Sequence, residues 1–304
     1  MNNNYKNMFP KMLYIILPVL LFILPNNSYA FNLSDYFIYQ NDVGSWTLHD
    51  RNTLDAGLIG SNNEVKIHDD NLTRGVMGGS DLTLHDDNTV NGDATFNGSV
   101  TLNSGNTVTG TTSSGGVPNT FTPIALPTPT VFVSGGANVT TGGALAPGSY
   151  GDLTQGGTLT LDLISGDYYF DSIDLNNGNT INIDLTGGPV NIYITGDFDI
   201  HDSNNFVLTG GSASDIYMEL YGKWSAHNDN TWYGIVYAPN EFIKFHDRNE
   251  IYGAFYSGEY VDIHNDNGLH FVSSEPPAGA VPEPLSLALM SFGLLGGSFL
   301  RKIK

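Results

Sequence analysis

Ile243-Lys244-Phe245-His246-Asp247-Arg248-Asn249-Glu250-Ile251 decides the fold, because the chain writes this phrase again and again. Its centre is a tetrad, His-[Asp/Asn]-x-Asn, that takes up seven of the eight histidines. The other copies begin at His49, His68, His85, His201, His227 and His264. Three residues before each His stands Trp46, Val65, Leu82, Phe198, Trp224, Ile243 or Val261. One before stands Leu48, Ile67, Leu84, Ile200, Ala226, Phe245 or Ile263. Five after stands Leu54, Thr73, Val90, Phe206, Trp232, Ile251 or Leu269, and only Thr73 departs from the apolar rule.

The apolar residues at −3 and −1 give the two-residue period of a half-buried strand. The tetrad makes a corner, since Asn and Asp tolerate left-handed backbone and bond to neighbouring amides. The chain then returns to the core at +5. The same skeleton persists without histidine from Val100 to Val108 and from Ile173 to Ile181, with weaker echoes at Val131–Val139 and Gly151–Leu159. Corners recur mostly 17 to 26 residues apart. Units this small cannot bury a core alone, so they must stack. The expected fold is all-β, a right-handed parallel β-helix of 11 coils. At about 4.8 Å per coil the column would be about 50 Å long.

Thr109 to Thr130 interrupts the repeat with Pro118, Pro123, Pro127 and Pro129. Proline lacks the donor that a central strand needs. The expected organisation is N-terminal coils over 31–108, a linker over 109–130, and C-terminal coils over 131–272. A second linker, 273–280, carries Pro276 and Pro277.

Both ends read as sorting devices rather than fold. Lys6 and Lys11 precede an apolar stretch from Met12 to Leu24, and Ser28-Tyr29-Ala30 offers the small residues of a signal-peptidase site. A signal helix over 1–30 and cleavage between Ala30 and Phe31 are expected. At the other end Val281-Pro282-Glu283-Pro284 precedes an apolar run, Leu285 to Leu300, and then Arg301, Lys302 and Lys304. The run is short beside the roughly 20 residues of a permanent span. This tail, 281–304, resembles the PEP-CTERM signal of bacterial exosortase substrates. The resemblance implies a short transmembrane sorting helix, recognition at Val281, Pro282, Glu283 and Pro284 with a cytoplasmic stop at Arg301 and Lys302, and an exosortase-like partner. The membrane would hold the tail only until processing, leaving the protein at the cell surface or in the extracellular matrix.

Between residues 31 and 280 there are 30 acidic and six basic residues, a balance of −24, and no cysteine. So acidic a body excludes nucleic acid as a partner, because phosphates need cationic surfaces. It also excludes thiol chemistry. Ala146-Pro147-Gly148-Ser149-Tyr150-Gly151-Asp152-Leu153, Gly166-Asp167-Tyr168-Tyr169-Phe170 and Gly234-Ile235-Val236-Tyr237-Ala238-Pro239-Asn240 resemble blocks of exported bacterial β-helix proteins of unassigned function. That resemblance implies an architecture and a location, not an activity.

The tetrads admit three roles. Asn side chains can form hydrogen-bonded ladders up the stack. His beside Asp in neighbouring coils can offer Zn²⁺ or Cu²⁺ ligands, and acidic corners can offer oxygens to Ca²⁺. No three-ligand metal set is fixed by spacing, and no cofactor is expected. Arg51 and Arg248 occupy the variable third position, where siblings carry Asp or Ser, which reads as a solvated turn. A polysaccharide lyase would need a cationic group and a base, and the body has few cations to supply it. No nucleophile elbow, zinc-protease or phosphate-loop motif occurs. Thr83, Thr101, Thr158 and Thr160 form no regular Thr-x-Thr row of the kind an ice-binding face would show. Trp232-Tyr233-Gly234 and Ile251-Tyr252-Gly253 repeat in register, so Tyr233 and Tyr252 should stack on one outward face, a candidate platform for glycan. The expected function is that of a secreted, non-enzymatic surface or matrix protein, with a carbohydrate-binding or metal-binding (Ca/Zn) adhesin as the alternative, an ice-binding protein or a polysaccharide lyase as remote alternatives, and extracellular polysaccharide as a partner.

Overall fold

The computed structural model describes residues 32–41 and 44–273. The proposed terminal helices lie outside them, as do Ala30, Phe31, Val281, Pro282, Glu283, Pro284, Arg301 and Lys302.

The body is a three-faced column in which every pairing between the named strands is parallel. The first face is a ten-stranded sheet built from the short strands that precede each corner. Their order along the axis is Leu153–Gln155, Ile173–Leu175, Phe198–Ile200, Trp224–Ala226, Ile243–Phe245, Val261–Ile263, Trp46–Leu48, Val65–Ile67, Leu82–Leu84 and Val100–Leu102. The strands after each corner form the second face, and a third set closes the triangle. These two faces merge into one twenty-stranded sheet because Thr231–Ala238 and Glu250–Ser257 run through both. Those strands turn the edge at Gly234 and Gly253, both at positive φ. A Cβ at Gly253 would sit 1.9 Å from the Gly234 carbonyl, so the edge admits only glycine there.

The order along the axis is not the order along the chain. Val261–Ile263, the last corner strand, pairs with Trp46–Leu48, the first, through Trp46↔Val261, Thr47↔Asp262 and Leu48↔Ile263. The other faces repeat the junction at Ile38↔Phe255 and Thr53↔Gly268. The chain thus begins in mid-column, climbs to one end, crosses to the opposite end, and climbs back to meet its own start. The two sets of coils form one column.

The crossing explains the prolines. About ten coils at 4.8 Å amount to about 45 Å, which an extended chain at about 3.3 Å per residue covers in about 14 residues. Proline suits the extended conformation and contributes no donor that needs a partner. The segment after Ser113 therefore works as a strap rather than a free linker. Thr112–Ser113 still pairs with Ala94–Phe96, so the N-terminal coils extend to Ser113 rather than 108. The echo at Val131–Val139 is not a coil. Val131 and Val133 point to solvent, while Phe132 packs against the rings of Tyr193 and Tyr221. The coils restart at Val139, which bridges to Leu153.

Inside the column run the −3, −1 and +5 residues, with Trp46, Trp224 and Trp232 the largest, all fully buried. A second apolar cluster lies outside the third face. There Tyr39, Tyr237 and Tyr256 occupy successive outward register positions, beneath Phe121, Ile124 and Leu126 of the strap and beside Leu33. Strap amides and carbonyls are tied down at intervals. Ile124 N–H donates to the Tyr39 hydroxyl at 2.7 Å and Thr130 N–H to Glu219 Oε1 at 2.6 Å, while the Tyr237 hydroxyl donates to the Pro127 carbonyl. Tyr237 and Tyr256 are therefore covered by the strap, not displayed.

Candidate functional site

The corners align without a break. The third tetrad position adopts left-handed backbone in all seven histidine corners, with φ between +59° and +63° at Arg51, Asp70, Asp87, Ser203, Asp229, Arg248 and Asp266. In the two corners without histidine that position is Gly105 or Gly178, also at positive φ. Here the corner's four N–H groups must all find partners outside their own turn. The first and third bond to carbonyls of adjacent coils, as His246 N–H does to Ala226 and Arg248 N–H to Asn265.

The second and fourth N–H groups are satisfied by side chains, in two ladders of opposite sense. At the fourth position each backbone N–H donates to the Asn Oδ1 of the next coil, at 2.8–2.9 Å, in the order Asn179, Asn204, Asn230, Asn249, Asn267, Asn52, Asn71, Asn88, Asn106. At the second position the N–H donates backwards, to the side-chain oxygen of the preceding coil, from Asp202 to Asn177 onwards, at 2.9–3.1 Å. Asn267 to Asn52 and Asp50 to Asn265 carry both ladders across the junction. The Asn column is buried, at 0–2% exposure from Asn179 to Asn88. The sequence expectation of an Asn ladder describes what is seen.

Arg51 and Arg248 lie on the outer rim. Each makes a two-pronged ion pair to the Asp at the third position of the preceding coil, Arg51 to Asp266 at 2.7 and 2.9 Å and Arg248 to Asp229 at 2.7 and 2.8 Å. Both are exposed, in keeping with a solvated turn.

The seven imidazoles stack in one file, His201, His227, His246, His264, His49, His68, His85, with ring centres 4.7–4.9 Å apart. Desolvation lowers the affinity of His246 for a proton to a pKa of about 4, with the neighbouring His264 adding to the effect. Desolvation likewise lowers His68, followed by His49 and His85. Beside the file runs an outward row from the middle of each first-face strand, which reads Thr154, Asp174, Asp199, Ser225, Lys244, Asp262, Thr47, Lys66, Thr83, Thr101. Thr83 and Thr101 are neighbours in that row, but charged residues break it before any threonine array develops. Asp262 touches His49 Nε2 at 3.1 Å, His264 Nε2 at 3.3 Å and Lys244 Nζ at 3.2 Å. Sequence reasoning singled out His49 and His264 but neither Asp262 nor their meeting, because residues about 215 apart are joined only by the junction.

Tyr233 and Tyr252 do stack on the outward side of the second face, 4.7 Å apart and 15° from parallel. The stack continues to the eighth histidine, His270, 4.3 Å from Tyr252. Both faces of Tyr252 are thereby covered, so it cannot serve as a sugar platform. Tyr233 lines a groove of about 470 Å³ together with Val207, Leu208, Gly211, Ser212 and Tyr252. His270 bonds Glu250 at 2.8 Å and Asp55 at 3.0 Å. Burial pulls its proton affinity down, but these two carboxylates outweigh burial and hold it above the usual histidine range.

Residues 136–274 match a family described as a domain of unknown function (DUF7305). No curated protein matches the chain. Among solved structures the chain is similar to an ice-binding protein of the Antarctic ascomycete Antarctomyces psychrotrophicus, at 12% identity and a TM-score of 0.42, covering 80% of this chain and 97% of that one. It is also similar to an ice-binding protein of an Antarctic bacterium, Flavobacteriaceae, at 12% identity and TM-score 0.35, covering 78% and 82%. A third is an ice-binding protein from an Antarctic biological consortium, at 18% and 0.38, covering 78% and 88%.

Proposed function

We propose that the chain is an exported, non-enzymatic structural protein of the cell surface or extracellular matrix, a stiff acidic rod whose column is right-handed, the usual sense of parallel crossovers. The single observation that supports this reading is the pair of opposed ladders, which link nine stacked corners by hydrogen bonds from their second and fourth backbone N–H groups to side chains of neighbouring coils. Regular polar satisfaction of this kind serves rigidity. Delivery would follow the terminal signals, with signal peptidase acting between Ala30 and Phe31 and an exosortase-like enzyme acting at Val281 to Pro284. The test is fractionation of cells that carry wild-type chain or chain lacking 281–304. The reading requires mature wild-type protein, beginning near Phe31, at the surface or in the matrix, and retention or release of the truncated form. Intact 1–30 on a cytoplasmic protein would contradict it.

A second reading, glycan contact, is favoured by one observation, the place of Tyr233 in the lining of its groove. An aromatic face beside polar groups suits a sugar ring. Tyr233→Ala should weaken retention on extracellular polysaccharide without unfolding the column; retention equal to that of wild type dismisses it.

A further inference from the structure

The histidine file changes character at the junction. Rings lie 14–26° from parallel along His201–His227–His246 and at His68–His85. Between His246 and His68 they open to 39°, 43° and 32°, with the widest tilt between His264 and His49. That step is where Asp262 stands between two imidazoles. The ligand-capable atoms of His49, Asp262 and His264 all lie within 4.8 Å of one another, and all three side chains are half-buried. Among the described residues this is the one group of three such side chains close enough to share an ion.

We propose that His49, Asp262 and His264 form a binding site for a divalent transition-metal ion of the Zn²⁺ type, one that staples the chain's last coil to its first. Zinc bonds of about 2.0–2.1 Å set tetrahedral ligand atoms about 3.3–3.4 Å apart. His49 Nε2 lies 3.1 Å from Asp262 Oδ1 and His264 Nε2 lies 3.3 Å from Asp262 Oδ2, each close to that length but to a different oxygen. To share one ion through a single oxygen, the Asp262 carboxylate must turn and the two imidazole nitrogens must draw together from within 4.8 Å. Two nitrogens and one carboxylate suit Zn²⁺ or Cu²⁺ and not Ca²⁺, which takes oxygen ligands. The fourth position falls to water. Lys244 is the competitor, since its ammonium neutralises Asp262 and must be displaced. Nothing in the rod reading requires the ion, and the rod could stand without it.

Metal-stripped protein titrated by calorimetry with Zn²⁺, and separately with Ca²⁺, tests the site. The expected result is one Zn²⁺ per chain, no Ca²⁺ binding, and a melting temperature that rises with free Zn²⁺. Asp262→Asn, which preserves shape, and His49→Gln should weaken binding by about tenfold or more. His201→Gln and His85→Gln, elsewhere in the file, should leave it unchanged, and Lys244→Met should tighten it. Circular dichroism of each variant separates lost ligand from lost fold. Absence of Zn²⁺ binding by folded wild-type protein overturns the proposal. So does a loss of binding as large in His201→Gln as in Asp262→Asn, which would mean diffuse capture by the file.

Discussion

At the scale of single residues, Asn249 shows what a corner needs. Its Oδ1 accepts the Asn230 N–H at 2.9 Å, and its Nδ2 donates to the His246 carbonyl at 3.0 Å and to Asn267 Oδ1 at 3.1 Å. All of this occurs at zero exposure. Asn249→Ala strands buried groups on both sides, so denaturant unfolding should show a loss of about 3 kcal/mol. One position earlier the outcome reverses. Arg248→Gly should leave stability almost unchanged, because glycine takes the left-handed backbone without strain and the ion pair it removes is exposed. Histidines set the acid limit. His246 binds its proton less readily in the folded column, at about 4 against the ordinary 6.5. Neutral imidazole thus favours folding above 6.5, and that contribution is lost as pH falls from 6.5 towards 4. Melting temperature should fall across this window in wild type and fall less steeply in His246→Gln. Sequence alone made these corners legible, because Asn, Asp and Gly recur where left-handed backbone and side-chain bonds to amides are needed. It left open whether histidine packed or bound metal, since a ligand set is a matter of distance.

At the scale of elements, the strap is the part that periodicity missed. Its apolar residues, Phe121, Ile124, Leu126 and Phe132, follow no two-residue rhythm, because an extended strap touches the column only where a tyrosine or an amide partner stands beneath it. A signal did exist on the other side of the contact. Every residue of Ile216–Leu220 is buried, so that strand is covered on both faces, and its outward Tyr217 and Glu219 already needed a lid. Burial raises the affinity of Glu219 for a proton, although Thr130 and Tyr217 hydrogen-bond to the carboxylate. A raised folded pKa means that protonation favours the strapped state, and this contribution disappears as pH rises through that pKa. Glu219→Gln should therefore raise the melting temperature at pH 7 but not at pH 4. A lower melting temperature at both would mean that the charge itself anchors Thr130.

At the scale of the whole molecule, the unusual fact is that the column is assembled in a permuted order. Face alternation and corner alignment could be read from the repeats, since each repeat carries its own strand and turn chemistry, but the count of 11 coils is one too many because the echo at Val131–Val139 is not a coil. Which coil lies on which could not. Trp46-x-Leu48-His49 and Val261-x-Ile263-His264 carry the same pattern, so nothing local tells a coil that its neighbour is about 215 residues away. All three faces cross that junction. A cut in the strap at the exposed Val117 should hence leave both halves together in native gel filtration and separate them only in denaturant. The most direct test of the column is a cysteine pair in a chain that has no native cysteine. Thr47 and Asp262 are outward register partners on adjacent parallel strands, at a spacing a disulfide can bridge. Thr47→Cys with Asp262→Cys should form an intramolecular disulfide on mild oxidation, while Thr47→Cys with Asp174→Cys, several coils away in the same row, should not. Failure of the first pair to close in folded protein, or equal closure of both, would contradict the column described here.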